Sequence, residues 1–171
     1  MNHGIPYEEE LIVADKKQYK LLKQSITDWN DWRKAHKDIQ PDLSEAEFIK
    51  GDLFGADLCE ANLSKANLTM ADLCEANLNK ANLNGANLNK ADLNKANLTS
   101  ADFREADLGV TVLRETKLDG ANLGGADLTY ADLRGADLSK TVGLTQEQID
   151  KIHGSKSTIL PPNFQKPPNW N

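Results

Sequence analysis

Residues 76–98 read ANLNKANLNGANLNKADLNKANL, with a leucine at every fifth position from Leu78 to Leu98 and an alanine two places before each. A step of five suits neither regular element. On a helix, at ~100° per residue, it advances ~140° net and scatters the leucines around the axis. On a straight strand an odd step sends successive leucines to opposite faces. The chain meets the pattern only by bending once per unit, so that each Leu turns inward again. A solenoid does this, stacking units on equivalent units around a shared core.

Outward from this stretch the frame holds without a slip for twenty units, from Pro41 to Lys140. Phe48 and Phe103 are the only centres that are not Leu. Two places before the centre every unit but the first has Ala, Gly or Thr, which fit where the backbone crowds the axis. Just before the centre stands Asp or Asn, except at Glu47, Val112 and Lys117. Asp and Asn bond nearby backbone groups and tolerate turns, so this column reads as corner chemistry rather than a ligand set.

The pattern A-(D/N)-L-x-x resembles the pentapeptide-repeat family over residues 41–140. The resemblance implies an all-β solenoid: a right-handed, quadrilateral parallel β-helix with four units per coil, hence five coils for twenty units. At ~4.8 Å between stacked strands such a rod is ~20–24 Å long. The centre and the small residue point inward, and an interior so filled leaves no pocket of the ~300 Å³ that small-molecule sites occupy.

Three segments are expected: 1–40, a helical cap or association segment; 41–140, the repeat β-helix; and 141–171, a capping helix with a Pro-rich tail. In the first, Tyr19, Leu22, Ile26, Trp29 and Trp32 fall at helical spacing, predicting an amphipathic α-helix over 15–37. An open solenoid edge pairs with other chains unless covered. This stripe therefore caps the first coil near Leu43 and Phe48, joins subunits into a homo-oligomer, or does both. In the last segment, Thr145 with Gln148 predicts a capping box, and Leu144 with Ile149 a hydrophobic staple. The helix is expected over 146–153 with Gly154 as its stop. ILPPNFQKPPNW, residues 159–170, is expected to be extended and anchored by Phe164 and Trp170. YEEELIVAD, residues 7–15, extends the helix, pairs as a strand or reaches a neighbouring subunit. The lead-in WNDWRKAHKDIQPDL and the C-terminal close are both similar to those of bacterial, notably cyanobacterial, members of the family.

Little in the chain points to chemistry. His3, His36 and His153 lie in separate segments without ligand spacing. Cys59 and Cys74 form no disulfide framework, and they are expected as exposed thiols on different sides of the rod. No catalytic, metal or cofactor residues are expected, and the chain reads as a non-enzyme. No apolar run reaches the ~18 residues of a spanning helix, and the start lacks a signal-peptide pattern. The expectation is a cytoplasmic protein with no membrane contact and no direct nucleic-acid binding.

The clearest irregularity is GVTVLRETKLDG, residues 109–120, where Thr111 and Thr116 replace Ala and Val112 and Lys117 replace Asn or Asp. Stacking by four units puts Lys50, Met70, Lys90, Val110 and Tyr130 in one exposed column, with Val112 expected at the adjoining corner. Met70, Val110, Val112 and Tyr130 are thus the candidate partner surface. The functional expectation is a structural or protein-interaction scaffold. The alternative is an acidic DNA-mimic rod binding a type II topoisomerase, since some pentapeptide-repeat proteins inhibit DNA gyrase. Magnitude weighs against it: duplex DNA carries ~14 charges over ~24 Å, whereas residues 41–140 carry seventeen acids and ten bases, net −7.

Overall fold

The structure is a computed structural model and describes residues 15–170. The reading of residues 7–14 therefore lies outside it. Asp42 forms a parallel bridge with Asn62, Glu47 with Asn67, Asp52 with Asp72 and Asp57 with Asn77, and this step of twenty residues repeats down the rod. Four bridge columns define four sides, numbered in chain order from the column of Asp42. Leucines and alanines fill the interior from Leu43 to Leu138. The two threonines that replace Ala stay buried because their hydroxyls are satisfied: Thr111 donates to Leu88 O (2.8 Å) and Thr116 to Leu113 O (2.8 Å).

The corners lie elsewhere than the sequence reading placed them. Each turn spans the two residues after the centre and, except after Leu113, closes with a backbone bond such as Ala46 N–H to Leu43 O, 3.2 Å. Every fifth residue from Glu45 to Gly135 has φ between 54° and 77°, as a type II turn requires at its second central residue. The Asp/Asn column stands on the flat of each side instead. Its Oδ1 accepts the N–H two residues on, as from Ser44 to Asp42 (3.1 Å) and Asn89 to Asn87 (2.9 Å), and so steadies the corner from outside it. At five of these positions, Asn62, Asn67, Asn77, Asn82 and Asn97, the amide also ties coil to coil. Asn62 Nδ2 donates to Asp42 Oδ1 (3.1 Å), Asn82 to Asn62 (3.1 Å) and Asn77 to Asp57 (2.9 Å).

The stretch expected as one helix over 15–37 is two, α1 (Lys16–Gln24) and α2 (Ile26–Ala35). Ser25 separates them in an extended conformation, φ −160° and ψ 115°, and its side chain accepts the Asp28 N–H. Serine favours this N-cap role because its short hydroxyl competes for backbone donors at a helix start. The break turns α2 back across the end of the rod.

At the other end, bridging outlasts the leucine frame. Val142 pairs with Asn122, His153 with Asp132 and Ile159 with Asp137. α3 (Gln146–Lys151) stands in for the second side of this sixth layer, and Lys151 O accepts Tyr130 N–H (2.9 Å). Thr145 and Gln148 form the capping box. The helix ends at Ile152, extended at ψ 160°, rather than at Gly154. Gly154 answers a different need: a Cβ there would collide with the buried Trp170 ring.

Candidate interaction surface

The helical stripe lies against the first coil. Leu22 and Trp29 are fully buried, and Tyr19, Ile26 and Trp32 are half-buried against the core. Tyr19 OH donates to Glu47 O (3.0 Å), its ring 5.2 Å from that of Phe48. Trp29 Nε1 donates to Asp57 O (2.9 Å). Three polar residues that sequence reasoning missed complete this layer. Gln18 Oε1 accepts Asp42 N–H (2.9 Å). Asn30 behaves like the peptide group of an absent strand, accepting Asp57 N–H (2.8 Å) and donating to Gly55 O (3.0 Å). Arg33, buried and without a carboxylate partner among the described residues, donates to Ile39 O (2.7 Å) and Cys59 O (2.9 Å). The available signal was position: Asn30 and Arg33 follow Trp29 by one and four residues on the same helix.

Along the rod, the column of corner residues leading into the third side runs Lys50, Met70, Lys90, Val110, Tyr130. Met70, Val110 and Tyr130 are 48%, 47% and 61% exposed. Val112 does not stand at the adjoining corner. It lies half-buried on the flat of the third side, bridging Asp92 and Asp132, because turns occupy the two residues after each centre. Tyr130 stacks on His153 with ring centroids 5.9 Å apart, beside a cleft of about 360 Å³ that Lys151 and Asn169 also line. A second cleft of similar size, about 370 Å³, lies within the C-terminal cap between Gln146, Asp150 and Pro167, a place the expectation of a filled rod did not address.

The third side differs from the others in its charge. Asp52, Asp72 and Asp92 stack with no Asn in their column, and among the described residues none of the three has an ion pair. Further down, Asp132 is held by Arg114 and Arg134, with Arg114 Nε at 2.6 Å and Arg134 Nη2 at 2.7 Å from its Oδ2.

Among the described residues no group of His, Cys, Asp and Glu is placed to hold a metal ion. The thiols are half-buried, not exposed as expected, with Cys59 on the fourth side and Cys74 on the third. Burial, then hydrogen bonds to Asp72 and Asp92, push the Cys74 thiol up to about 12. Burial, then the charges of Asp57 and Glu60, raise Cys59. Both stay protonated at neutral pH and are poor nucleophiles. No described helix is long and apolar enough to cross a membrane.

Comparison with known proteins follows the same lines. The family described as pentapeptide repeats matches in 8 copies over residues 42–79, 76–109 and 111–142. The chain is similar to a pentapeptide repeat protein from the Arabidopsis thaliana thylakoid lumen: 27% identity, 56% of this chain, 63% of that one, TM-score 0.46. It is similar to HetL, a pentapeptide repeat protein involved in heterocyst differentiation regulation from the cyanobacterium Nostoc: 27% identity, 74% of this chain, 60% of that one, TM-score 0.23. It is also similar to Rfr23 from the cyanobacterium Cyanothece: 31% identity, 64% of this chain, 63% of that one, TM-score 0.28. It thus spans less than two thirds of each of these three proteins. A comparison with curated proteins gives no match. With the repeat matched over more than half its length, the chain belongs to the pentapeptide repeat family, and its four-sided solenoid is that family's right-handed quadrilateral β-helix.

Proposed function

We propose that the protein is a non-enzymatic scaffold that binds another protein molecule through the third side and the corner leading into it. In this reading residues 41–140 are a rod of five coils, residues 1–40 close its first edge and residues 141–171 its last. Tyr19, Leu22, Ile26, Trp29 and Trp32 serve that closure, and Met70, Val110, Val112 and Tyr130 serve binding.

One observation carries the reading. The other three corner columns contain glycines or pair their own charges, as in Lys65–Glu45 at 3.9 Å and Lys80–Glu60 at 3.0 Å. The column from Lys50 to Tyr130 has neither glycine nor acid. It holds β-branched Val110 at φ 57°, a conformation costing ~1–3 kcal/mol where nothing compensates it. Val110 is 47% exposed, so little intramolecular packing offsets that cost. A partner that covers it would.

A photo-crosslinking residue at Val110, compared with one at Ser100 on the fourth-side corner, tests this. Adducts at Val110 and not at Ser100 are expected. Equal labelling, or none at either, removes the reading. DNA mimicry is the weaker reading, because acids such as Asp132, Asp102 and Glu60 are already paired in place. Inhibition of gyrase supercoiling at low micromolar protein would reverse that ranking. The two protonated thiols suit a reducing, cytoplasmic setting.

A further inference from the structure

The third side has an internal symmetry of charge that points to its partner. Its upper half is mostly acidic, with Asp52, Asp72, Glu75 and Asp92 beside Lys95; its lower half presents Arg114 and Arg134, both bound to Asp132, beside Glu115. In the other columns an asparagine amide meets the carboxylate of the coil before, as Asn62 meets Asp42, Asn67 meets Glu47 and Asn77 meets Asp57. On the third side no side-chain amide does so: Asp52, Asp72 and Asp92 accept the backbone N–H two residues on, and the Cys74 thiol lies between Asp72 and Asp92.

Resting on the scaffold reading above, we infer that the protein occupying this surface is a second copy of the chain, packed antiparallel about a two-fold axis. The axis runs along the strand direction, between the third and fourth layers. It sets layer one against six, two against five and three against four. Asp132 then faces Asp72 of the second copy, and Arg134, already bound to Asp132, bridges the two from the gap between Asp72 and Glu75. Arg114 comes beside Asp92, and Lys95 faces Glu115. On the corner column, Met70 faces Tyr130, a thioether–aromatic contact that occurs twice because the interface is isologous. Met70 and Tyr130, which look misplaced on a single rod, thus have each other as partners, while Val110 is covered by the aliphatic stem of Lys90 of the second copy.

The operation is selective. Applied to the first side, it sets Lys65 against Gly125 and Asp42 against Val142. One side of so slim a rod offers less than the ~800 Å² per partner of a standard interface, so the pair is weak, and charge complementarity fixes its register more than its affinity.

Sedimentation velocity on the full chain up to several hundred micromolar tests this. Wild type should rise with concentration from 18.9 kDa toward twice that mass. Arg134→Glu and Asp72→Lys should each weaken association by roughly tenfold or more, with unchanged circular dichroism. Their equimolar mixture should regain it. Each mixed interface then pairs the introduced carboxylate with the introduced ammonium once, and keeps one native Asp72–Arg134 pair. If either variant fails to fold, Arg114→Glu mixed with Asp92→Lys repeats the design. A monomeric wild type, or a mixture no better than its components, overturns the second copy as occupant. The Val110 crosslink keeps the two claims apart. An adduct with a different polypeptide beside a monomeric wild type sinks the self-association and spares the scaffold. No adduct at all sinks the scaffold.

Discussion

The two ends of the rod face the same problem and solve it with different groups. At the first coil, side chains meet the open edge: Gln18, Tyr19, Trp29, Asn30 and Arg33 all bond to its backbone. At the last coil the backbone itself continues, through the bridges of Val142, His153 and Ile159, and one short helix replaces one side. A closure made by side chains can be undone one residue at a time. A closure made by main chain keeps most of its bonds whatever the sequence. The N-terminal end should therefore be the mutationally sensitive one.

The largest effect is expected there. Trp29→Ala removes a fully buried ring and strips Asp57 O of its donor, and should cost ~3–5 kcal/mol in urea unfolding. A loss under ~1 kcal/mol would mean that the helices rest on the coil without stabilising it. Between the ends, Ala86→Leu tests the rod itself. Ala86 is completely buried, and overpacking it should cost ~1–3 kcal/mol or more. Lys95→Ala, on an exposed corner, should stay within ~0.5 kcal/mol. Equal values for the two would break the inside–outside frame.

The C-terminal counterpart should be milder. Gln148 joins the capping box and donates to Leu123 O (3.0 Å) and Ala126 O (2.8 Å). Gln148→Ala should cost ~1–2 kcal/mol by the same measurement, with the backbone bridges keeping the end ordered. A loss matching that of Trp29→Ala would erase the contrast between the ends.

The corner column gives a smaller effect of opposite sign. Val110→Gly relieves a positive φ and should stabilise by up to ~1 kcal/mol, the gain trimmed by the entropy glycine adds to the unfolded chain. Destabilisation would show that Val110 packs usefully within the monomer.

The smallest effect is a pH dependence in the lower coils. Hydroxyl and amide donors at Thr129 and Ser139 hold Asp127 and Asp137 below the usual carboxylate range. A folded value below the unfolded one means stabilisation that is present above the unfolded pKa and fades as pH falls through the folded one. The urea midpoint should thus be flat above about pH 5 and decline below about pH 4. Asp127→Asn should shallow that decline by a few tenths of a kcal/mol, these carboxylates being mostly exposed.

The repeat made the inside of the rod legible. A period of five with Leu at the centre assigns every buried position from Leu43 to Leu138 except Gly109, because only inward-facing sites forbid charge. The outer positions were less readable. Asp and Asn bond the amide two residues on whether they stand at a corner or just before one, so residue type did not separate the two, and Val112 was misplaced with the column. Ser25 suits a helix interior poorly but not impossibly, and the apolar stripe runs through it without interruption. Asn30 and Arg33 were missed because a search for apolar spacing discards polar residues on the same face. The sixth layer was invisible for a different reason: Val142, His153 and Ile159 pair through main chain and share no side-chain pattern with the columns they extend. Of the candidate surface, the stacking by twenty revealed the corner column, while the opposed charges of the third side emerge only when its flat and corner residues are laid side by side.

A rod with four units per coil is also a screw with a very fine thread. One inserted pentapeptide would advance everything beyond it by only ~1.2 Å, a quarter of the ~4.8 Å layer spacing, yet turn it by a quarter revolution. The core would not register the change, since Leu and Ala serve all four sides alike. The outer surface would be re-indexed: carboxylates above the insertion and arginines below it would no longer share a side, and α3 would swing to a different flank from α2. Insertions of four units at once lengthen such a molecule and keep its faces aligned. Single units instead act as a rotary setting, choosing which surface residues look in the same direction.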